Sequence, residues 1–135
     1  MQLTNELGAV IEQIRQRLTA KNSARDGALQ RSRTLIRLCA NAIRATHREE
    51  WGEATALLDQ AESEAQALIA HLQPFPDLYF SGYTQDALKE YVEAHLTYAI
   101  IRHEPLPTPE ALNVEPATYL GGLADAATEL RRRIL

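Results

Sequence analysis

The sequence has few of the residues that build strands, disulfides and membrane spans. Its single cysteine, Cys39, excludes an intrachain disulfide and a cysteine-rich zinc site. Only three valines occur, and no segment alternates apolar and polar residues as a half-buried strand does. No long apolar run resembles a signal peptide or a membrane-spanning helix. These absences favour an all-α protein in a reducing compartment, with no membrane segment and a cytoplasmic location expected.

Charge and length limit the kinds of partner that the chain attracts. Its 135 residues match one domain, 1–135, and its net charge of −4 gives no general attraction for nucleic acid or anionic lipid. Nucleic-acid binding would therefore need a local basic patch. Four arginines lie within about 60° on one helical wheel and form such a basic stripe: Arg33, Arg37, Arg44 and Arg48. The stripe could be a solvated face paired with acidic neighbours, or a surface that follows phosphates.

Apolar residues recur at spacings of three and four, which predicts amphipathic helices along most of the chain. Two segments, 1–22 and about 24–48, could be separate helices, or one helix of about 40 residues and about 60 Å. Further helices are predicted over about 51–72, 84–102 and 116–134, with a short turn opened by Thr108 and Pro109. The predicted fold class is an all-α antiparallel bundle of about five to six helices with a long N-terminal helix. Such a helix offers more apolar surface than the bundle covers, so a homo-oligomer is expected.

Two acidic pairs occur at helical spacing in the second half of the chain. The stretch "LKEYVEAHLTY" (88–98) carries Glu90 and Glu93, and "YLGGLADAATEL" (119–130) carries Asp125 and Glu129. On a helical wheel each pair falls opposite the apolar arc of its helix, as solvated surface residues do. The same spacing puts both acids of a pair on one side, where they could hold Mg²⁺. The spacing leaves both interpretations open, whereas a di-iron site is disfavoured because no Glu-x-x-His motif occurs.

The residues of the two acidic motifs, in this order along the chain, resemble those of the Trax branch of the translin/Trax family. The stretches "LKEYVEA" and "YLGGLADAATELRR" are similar to its acidic motifs, and "SRTLIRLCANAIRATHR" (32–48) is similar to its early helix. The resemblance covers about residues 25–135 and is to archaeal and other prokaryotic Trax-like proteins. It implies a helical fold and a hollow octamer that binds single-stranded RNA or DNA. The chain departs from the family pattern in two ways. Thr128 stands where the family has glycine, and family members continue through further helices after the position of "ELRRRIL".

For the Trax branch, the resemblance implies a Mg²⁺-dependent endoribonuclease that acts on single-stranded RNA, with Mn²⁺ as a substitute cation. The residues carried over as catalytic and metal-binding are Glu90, Glu93, Asp125 and Glu129. The basic stripe is the candidate nucleic-acid surface. Translin subunits bind nucleic acid but lack the acidic set, so a noncatalytic binding or scaffold protein is the alternative function. The presence of all four acids in this chain favours the enzyme.

Overall fold

The computed structural model describes residues 1–134, and Leu135, the last residue of the predicted domain, lies outside them. The elements are α1 (Gln2–His47), α2 (Trp51–Leu72), α3 (Pro76–Tyr79), α4 (Gly82–Ile101), α5 (Pro109–Leu112) and α6 (Pro116–Ile134). No strand occurs within the described residues, and the predicted all-α class with a long N-terminal helix is confirmed. None of the helices described has both the length and the apolar character needed to cross a membrane.

Helix α1 is continuous through Asn22 and Ser23, so the one-helix interpretation is correct. Its 46 residues extend about 69 Å at about 1.5 Å per residue. Burial begins only at Ala24, and from there α1 packs against α2 and α4. Helix α4 is central, because it also packs against α6. The largest fully buried side chains come from α1, α2 and α4, and include Leu35, Leu68, Leu88, Tyr91 and Leu96.

The first twenty residues of the chain are exposed throughout. Their apolar side chains form one stripe, here called the N-terminal seam: Leu3, Leu7, Val10, Ile11, Ile14 and Leu18. The least exposed of them, Ile14, still has 51% of its surface accessible. The first side-chain contact of α1 with another helical element is the ion pair between Lys21 and Asp77 of α3. The seam is therefore left open to solvent by the described part of the chain.

Short connections hold the ends of α4 and α6 in place. Thr108 caps α5 as predicted, because its Oγ1 accepts a hydrogen bond from the Ala111 amide at 3.0 Å. The same connection is tied to α6 where the Tyr119 hydroxyl donates to the Pro107 carbonyl at 2.7 Å. Gln85 joins the start of α4 to the start of α6 by accepting from the Thr118 hydroxyl at 2.6 Å. These contacts fix how α6 lies across α4, where the acidic motifs meet.

His95 lies on the side of α4 that faces the core. Its ring packs edge-on against Tyr91, with ring centroids 4.8 Å apart. Burial lowers the pKa of His95 to about 4, so the ring is neutral at physiological pH. A neutral, packed imidazole is a structural residue of the bundle, separate from the acidic cluster.

Candidate metal centre

The two acidic motifs meet where α4 and α6 pack together. Carboxylate oxygens of Glu90, Glu93 and Asp125 all lie within 4.8 Å of one another, and we call these residues the three-carboxylate group. The i,i+3 spacing puts Glu90 and Glu93 on one side of α4, and α6 supplies Asp125 from the facing helix. The structure thus brings together three of the four acids that the family resemblance selected.

Close packing of α4 on α6 depends on a glycine. A Cβ built on Gly122 would lie 2.5 Å from Cγ1 of Val92 and 3.0 Å from the backbone oxygen of Lys89. Both distances are too short for any residue with a side chain at this position. Ala126, one turn further along α6, is fully buried in the same contact. Small residues therefore let the helix carrying Asp125 approach the helix carrying Glu90 and Glu93.

Glu93 is the buried member of the group, with 8% of its surface exposed. Burial raises its pKa to about 8, and the negative charges of Glu90, Asp125 and Glu129 add to the effect. The helical wheel placed Glu93 on a solvated face, and this expectation was wrong because α6 covers that side of α4. A cation that enters the group would offset the mutual repulsion of its negative charges, so the donor set fits a metal ion.

Helix α1 also lies near the acidic cluster. Burial raises the pKa of the Cys39 thiol, and the charges of Glu90 and Glu93 raise it further. Cys39 is fully buried in α1, so the acids lie within electrostatic reach of that helix. A neutral, buried thiol is a small core residue.

Lys89 is a neighbour of the group that the sequence did not reveal. Its Nζ lies 3.5 Å from Oδ2 of Asp125, and its stem crosses α6 at Gly121, where an added Cβ would meet Cδ at 3.1 Å. The ammonium offsets part of the negative charge of the three carboxylates. Two adjacent glycines inside a helix indicate close approach of another element, and they were the only sequence signal for this contact.

Glu129, the fourth acid, lies apart from the three-carboxylate group. Its Oε1 is 2.9 Å from Nε2 of His47, the last residue of α1, and its Oε2 is 3.2 Å from Nη1 of Arg132. No signal in the sequence indicates that His47 pairs with a residue 82 positions away. Thr128, the departure from the family pattern, is exposed and donates to the carbonyl of Ala124, so it does not crowd the helix contact.

All four arginines of the basic stripe are exposed. Arg44 donates to Oδ1 of Asn41 at 2.6 Å, and Arg48 forms an ion pair with Glu50 at 3.3 Å. Arg33 and Arg37 form no ion pair with any residue of the described part of the chain. The one ion pair that links α1 to α2 uses Arg31 and Glu64 instead. The stripe is thus a solvated face, and nucleic-acid binding by it stays a prediction.

The larger clefts of the molecule lie elsewhere. A cleft of about 680 Å³ is lined by residues such as Ile69, Pro76 and Phe80, and contains none of the four acids. A second cleft of about 630 Å³ reaches Lys89 at one end and so comes nearest to the three-carboxylate group. A divalent ion needs a few oxygen ligands and keeps several waters, so the absence of a deep cavity does not disfavour it.

The comparisons with known proteins identify relatives of the same architecture. No protein-family model matches the chain. The chain is 33% identical over 120 residues to an uncharacterized protein of Methanocaldococcus jannaschii. The matched region covers 87% of this chain and 53% of the relative. The chain thus spans about half the length of that curated relative.

Two crystal structures of C3PO proteins are similar to this chain over most of its length. The apo-NeC3PO structure superposes with a TM-score of 0.84 at 25% identity, covering 91% of this chain and 65% of that one. The AfC3PO structure gives a TM-score of 0.82 at 32% identity, covering 91% of this chain and 63% of that one. The chain therefore shares the fold of these two C3PO structures, and within that fold its two acidic motifs meet at one place.

Proposed function

We propose that this protein is a Mg²⁺-dependent endoribonuclease that acts on single-stranded RNA. The observation that supports it most directly is the convergence of Glu90, Glu93 and Asp125 within 4.8 Å in a translin/Trax-like fold. Three oxygen ligands from two helices suit a hard cation that keeps several of its waters. Mg²⁺ is the expected ion, and Mn²⁺ can substitute for it because it has the same preference for oxygen ligands.

Each residue of the acidic cluster, and Lys89 beside it, has a separate proposed role in phosphodiester hydrolysis. The three-carboxylate group would hold the ion, which when bound stabilises charge on a phosphate oxygen and makes a bound water more acidic. Glu129 is a candidate to accept the proton of that water, because it lies outside the ligand set. Lys89, whose Nζ is 3.5 Å from Asp125, is free to turn from Asp125 towards a phosphate when a cation replaces it.

A cleavage assay on the whole chain tests this function. Labelled single-stranded RNA is incubated with the protein in Mg²⁺, in Mn²⁺, or in EDTA, and the products are separated by size. Internal cleavage that requires the metal supports the nuclease. RNA binding without cleavage in any metal would instead identify a noncatalytic translin-type binding or scaffold protein.

The basic stripe is proposed to bind the RNA backbone. Replacing Arg37 and Arg44 by Ala should weaken binding of single-stranded RNA, and of single-stranded DNA, regardless of sequence. Each lost phosphate contact should also reduce the slope of log K against log salt concentration by about 0.7 for a single strand. Fluorescence anisotropy titrations at several salt concentrations measure both effects.

The matched control for the stripe is the exposed pair Arg17 and Arg25, which lies on the same helix but on another face. Changing this pair to Ala removes the same charge and should leave the salt slope near that of the unchanged protein. An equal loss from both pairs would mean that total charge, and not the stripe, sets the affinity.

A homo-oligomer is proposed to form through the N-terminal seam, with an octamer as the assembly that the family resemblance implies. The spacing of Leu7, Ile11, Ile14 and Leu18 is that of a helix that packs against another helix. Changing Ile11 and Ile14 to Asp should shift the mass measured by light scattering towards the monomer. Changing Gln13 and Gln16 to Asp, on the opposite face of α1, adds the same charge and should leave the mass unchanged. A monomeric unchanged protein at micromolar concentration would contradict the proposal.

A further inference from the structure

His47 connects the last turn of α1 to α6 beside the three-carboxylate group. Its Nε2 lies 2.9 Å from Oε1 of Glu129. Because an ionised carboxylate can only accept hydrogen bonds, the Nε2–H of His47 is the donor. The two side chains are 25% and 20% exposed, so water competes little for this contact.

Further hydrogen bonds surround this contact between His47 and Glu129. Arg133 donates from Nη1 to the carbonyl of His47 and from Nη2 to Oε1 of Glu49, each at 3.2 Å. Arg132 donates to the second oxygen of Glu129 at 3.2 Å. Each carboxylate oxygen thus has one donor, and since a carboxylate offers about four lone-pair sites, each keeps room for another proton. Glu129 is therefore held in one orientation but retains capacity as a base.

The position of Glu129 also separates its role from that of the other acids. The three-carboxylate group is complete without Glu129, since among the described residues only Glu90, Glu93 and Asp125 bring oxygens within 4.8 Å of one another. Its charge nevertheless contributes to the raised pKa of Glu93, so Glu129 lies within electrostatic reach of that group. A carboxylate beside a metal site, but not in it, has the placement of a group that acts on a metal-bound water.

We propose that His47 is a positioning residue that holds Glu129 beside the three-carboxylate group, where Glu129 accepts the proton of the attacking water. This inference rests on the proposed nuclease function. The water oxygen bonds to phosphorus as the bond from phosphorus to the leaving ribose oxygen breaks. The water proton passes to Glu129, and the leaving oxygen takes a proton from solvent. His47 stays hydrogen-bonded to Glu129 throughout and keeps it from turning into the ligand set.

Two measurements on the same variants test this role: single-turnover RNA cleavage at saturating metal, and Mn²⁺ affinity by calorimetric titration without RNA. His47→Ala removes the hydrogen-bond partner that orients Glu129 and should slow cleavage by about 10- to 100-fold. The Mn²⁺ affinity of the same variant should stay within about twofold, because His47 holds no ligand of the ion. His47→Gln places an amide N–H near the original donor and should recover most of the rate. His71→Gln, an exposed histidine of α2, is the matched control and should behave as the unchanged protein.

A double variant separates this role from general damage to the fold. If His47 acts through Glu129, His47→Ala combined with Glu129→Gln should be no slower than Glu129→Gln alone. Additive losses, unchanged cleavage by His47→Ala, or a tenfold loss of Mn²⁺ affinity would each overturn the inference. His47→Leu keeps the volume of the ring and replaces the alanine variant if that one does not fold. No metal-dependent cleavage by the unchanged protein would reject the nuclease itself, whereas cleavage that survives loss of His47 rejects only this role.

Discussion

Replacing Glu93 by Gln should lower metal-dependent RNA cleavage by about a hundredfold or more, because a metal ligand supplies several kcal/mol of transition-state stabilisation. Glutamine keeps the shape of the side chain and removes its charge. Asp125→Asn should have the same effect from the facing helix, since both belong to the three-carboxylate group. RNA binding should persist or tighten, because fewer negative charges then face the phosphates. Cleavage is measured under single-turnover conditions, and binding by anisotropy in EDTA.

The stability of the same variant distinguishes lost chemistry from lost folding. The folded-state pKa of Glu93 is raised from 4.5 to about 8, so the metal-free folded protein keeps a proton that the unfolded chain releases above about pH 4.5. The contribution of Glu93 to stability therefore falls as pH rises from about 4.5 to about 8. Glu93→Gln does not ionise, so its stability relative to the unchanged protein should increase across this window. Urea denaturation at pH 5 and pH 8.5 measures the difference.

The control for these variants is Glu110→Gln, an exposed acid of α5. It removes one negative charge and should leave cleavage, metal affinity and the pH dependence of stability unchanged. If Glu93→Gln and Asp125→Asn both retain full metal-dependent cleavage, the assignment of the metal centre is wrong. The carboxylates would then be the ordinary acidic residues that the helical wheel equally allows.

Gly122→Ala should lower the free energy of unfolding by about 3 kcal/mol, at the upper end of the usual cost of overpacking a core. The new Cβ would meet Cγ1 and Cβ of Val92 at 2.5 and 2.6 Å, and the backbone oxygen of Lys89 at 3.0 Å. Backbone cannot yield as a flexible side chain can, so α6 must move away from α4. Mn²⁺ affinity should fall as well, because Asp125 travels with α6. Chemical denaturation and metal titration measure the two losses.

Two other glycines provide a graded comparison. At Gly121 the added Cβ would meet only the stem of Lys89, at 3.1 Å, so Gly121→Ala should cost less. At Gly8 nothing lies within 4 Å, so Gly8→Ala should leave the unfolding of the bundle unchanged and favour the helix locally. Equal stability of the Gly121 and Gly122 variants would show that α4 and α6 are not held at the distance seen here.

The sequence was sufficient for the helices because each one carries its own periodic apolar pattern. The ranges predicted near 51–72 and 116–134 match α2 and α6, and even the short turn at Thr108 was identified from local capping chemistry. The continuity of α1 was left open because Asn22 and Ser23 are equally compatible with a cap or an exposed helix interior. Packing decides that question, and packing depends on residues far away in the chain.

This dependence on distant residues also explains which features of the candidate metal centre could not be predicted from the sequence. A helical wheel describes one helix, so it assigned Glu93 to solvent and could not include the covering helix α6. The family resemblance supplied all four acids, but spacing could not reveal that Glu129 turns towards His47 while the others converge. The partner of a side chain in a different helix is fixed by how the helices cross, and no local pattern records it.

In the proposed homo-oligomer, the helical state of the exposed first part of α1 would depend on protein concentration. Residues 2–20 are helical and extend about 28 Å beyond the bundle, but no burial in their own chain stabilises them. In a free monomer this stretch is a single water-exposed helix, which unwinds readily from its end because most helix stability in proteins comes from packing. Dilution below the dissociation constant of that oligomer would therefore lower the far-ultraviolet helical signal while the tertiary signal of the bundle persists. Hydrogen exchange would likewise divide α1 into a fast half whose protection rises with protein concentration and a slow half, from Ala24 onward, whose protection does not.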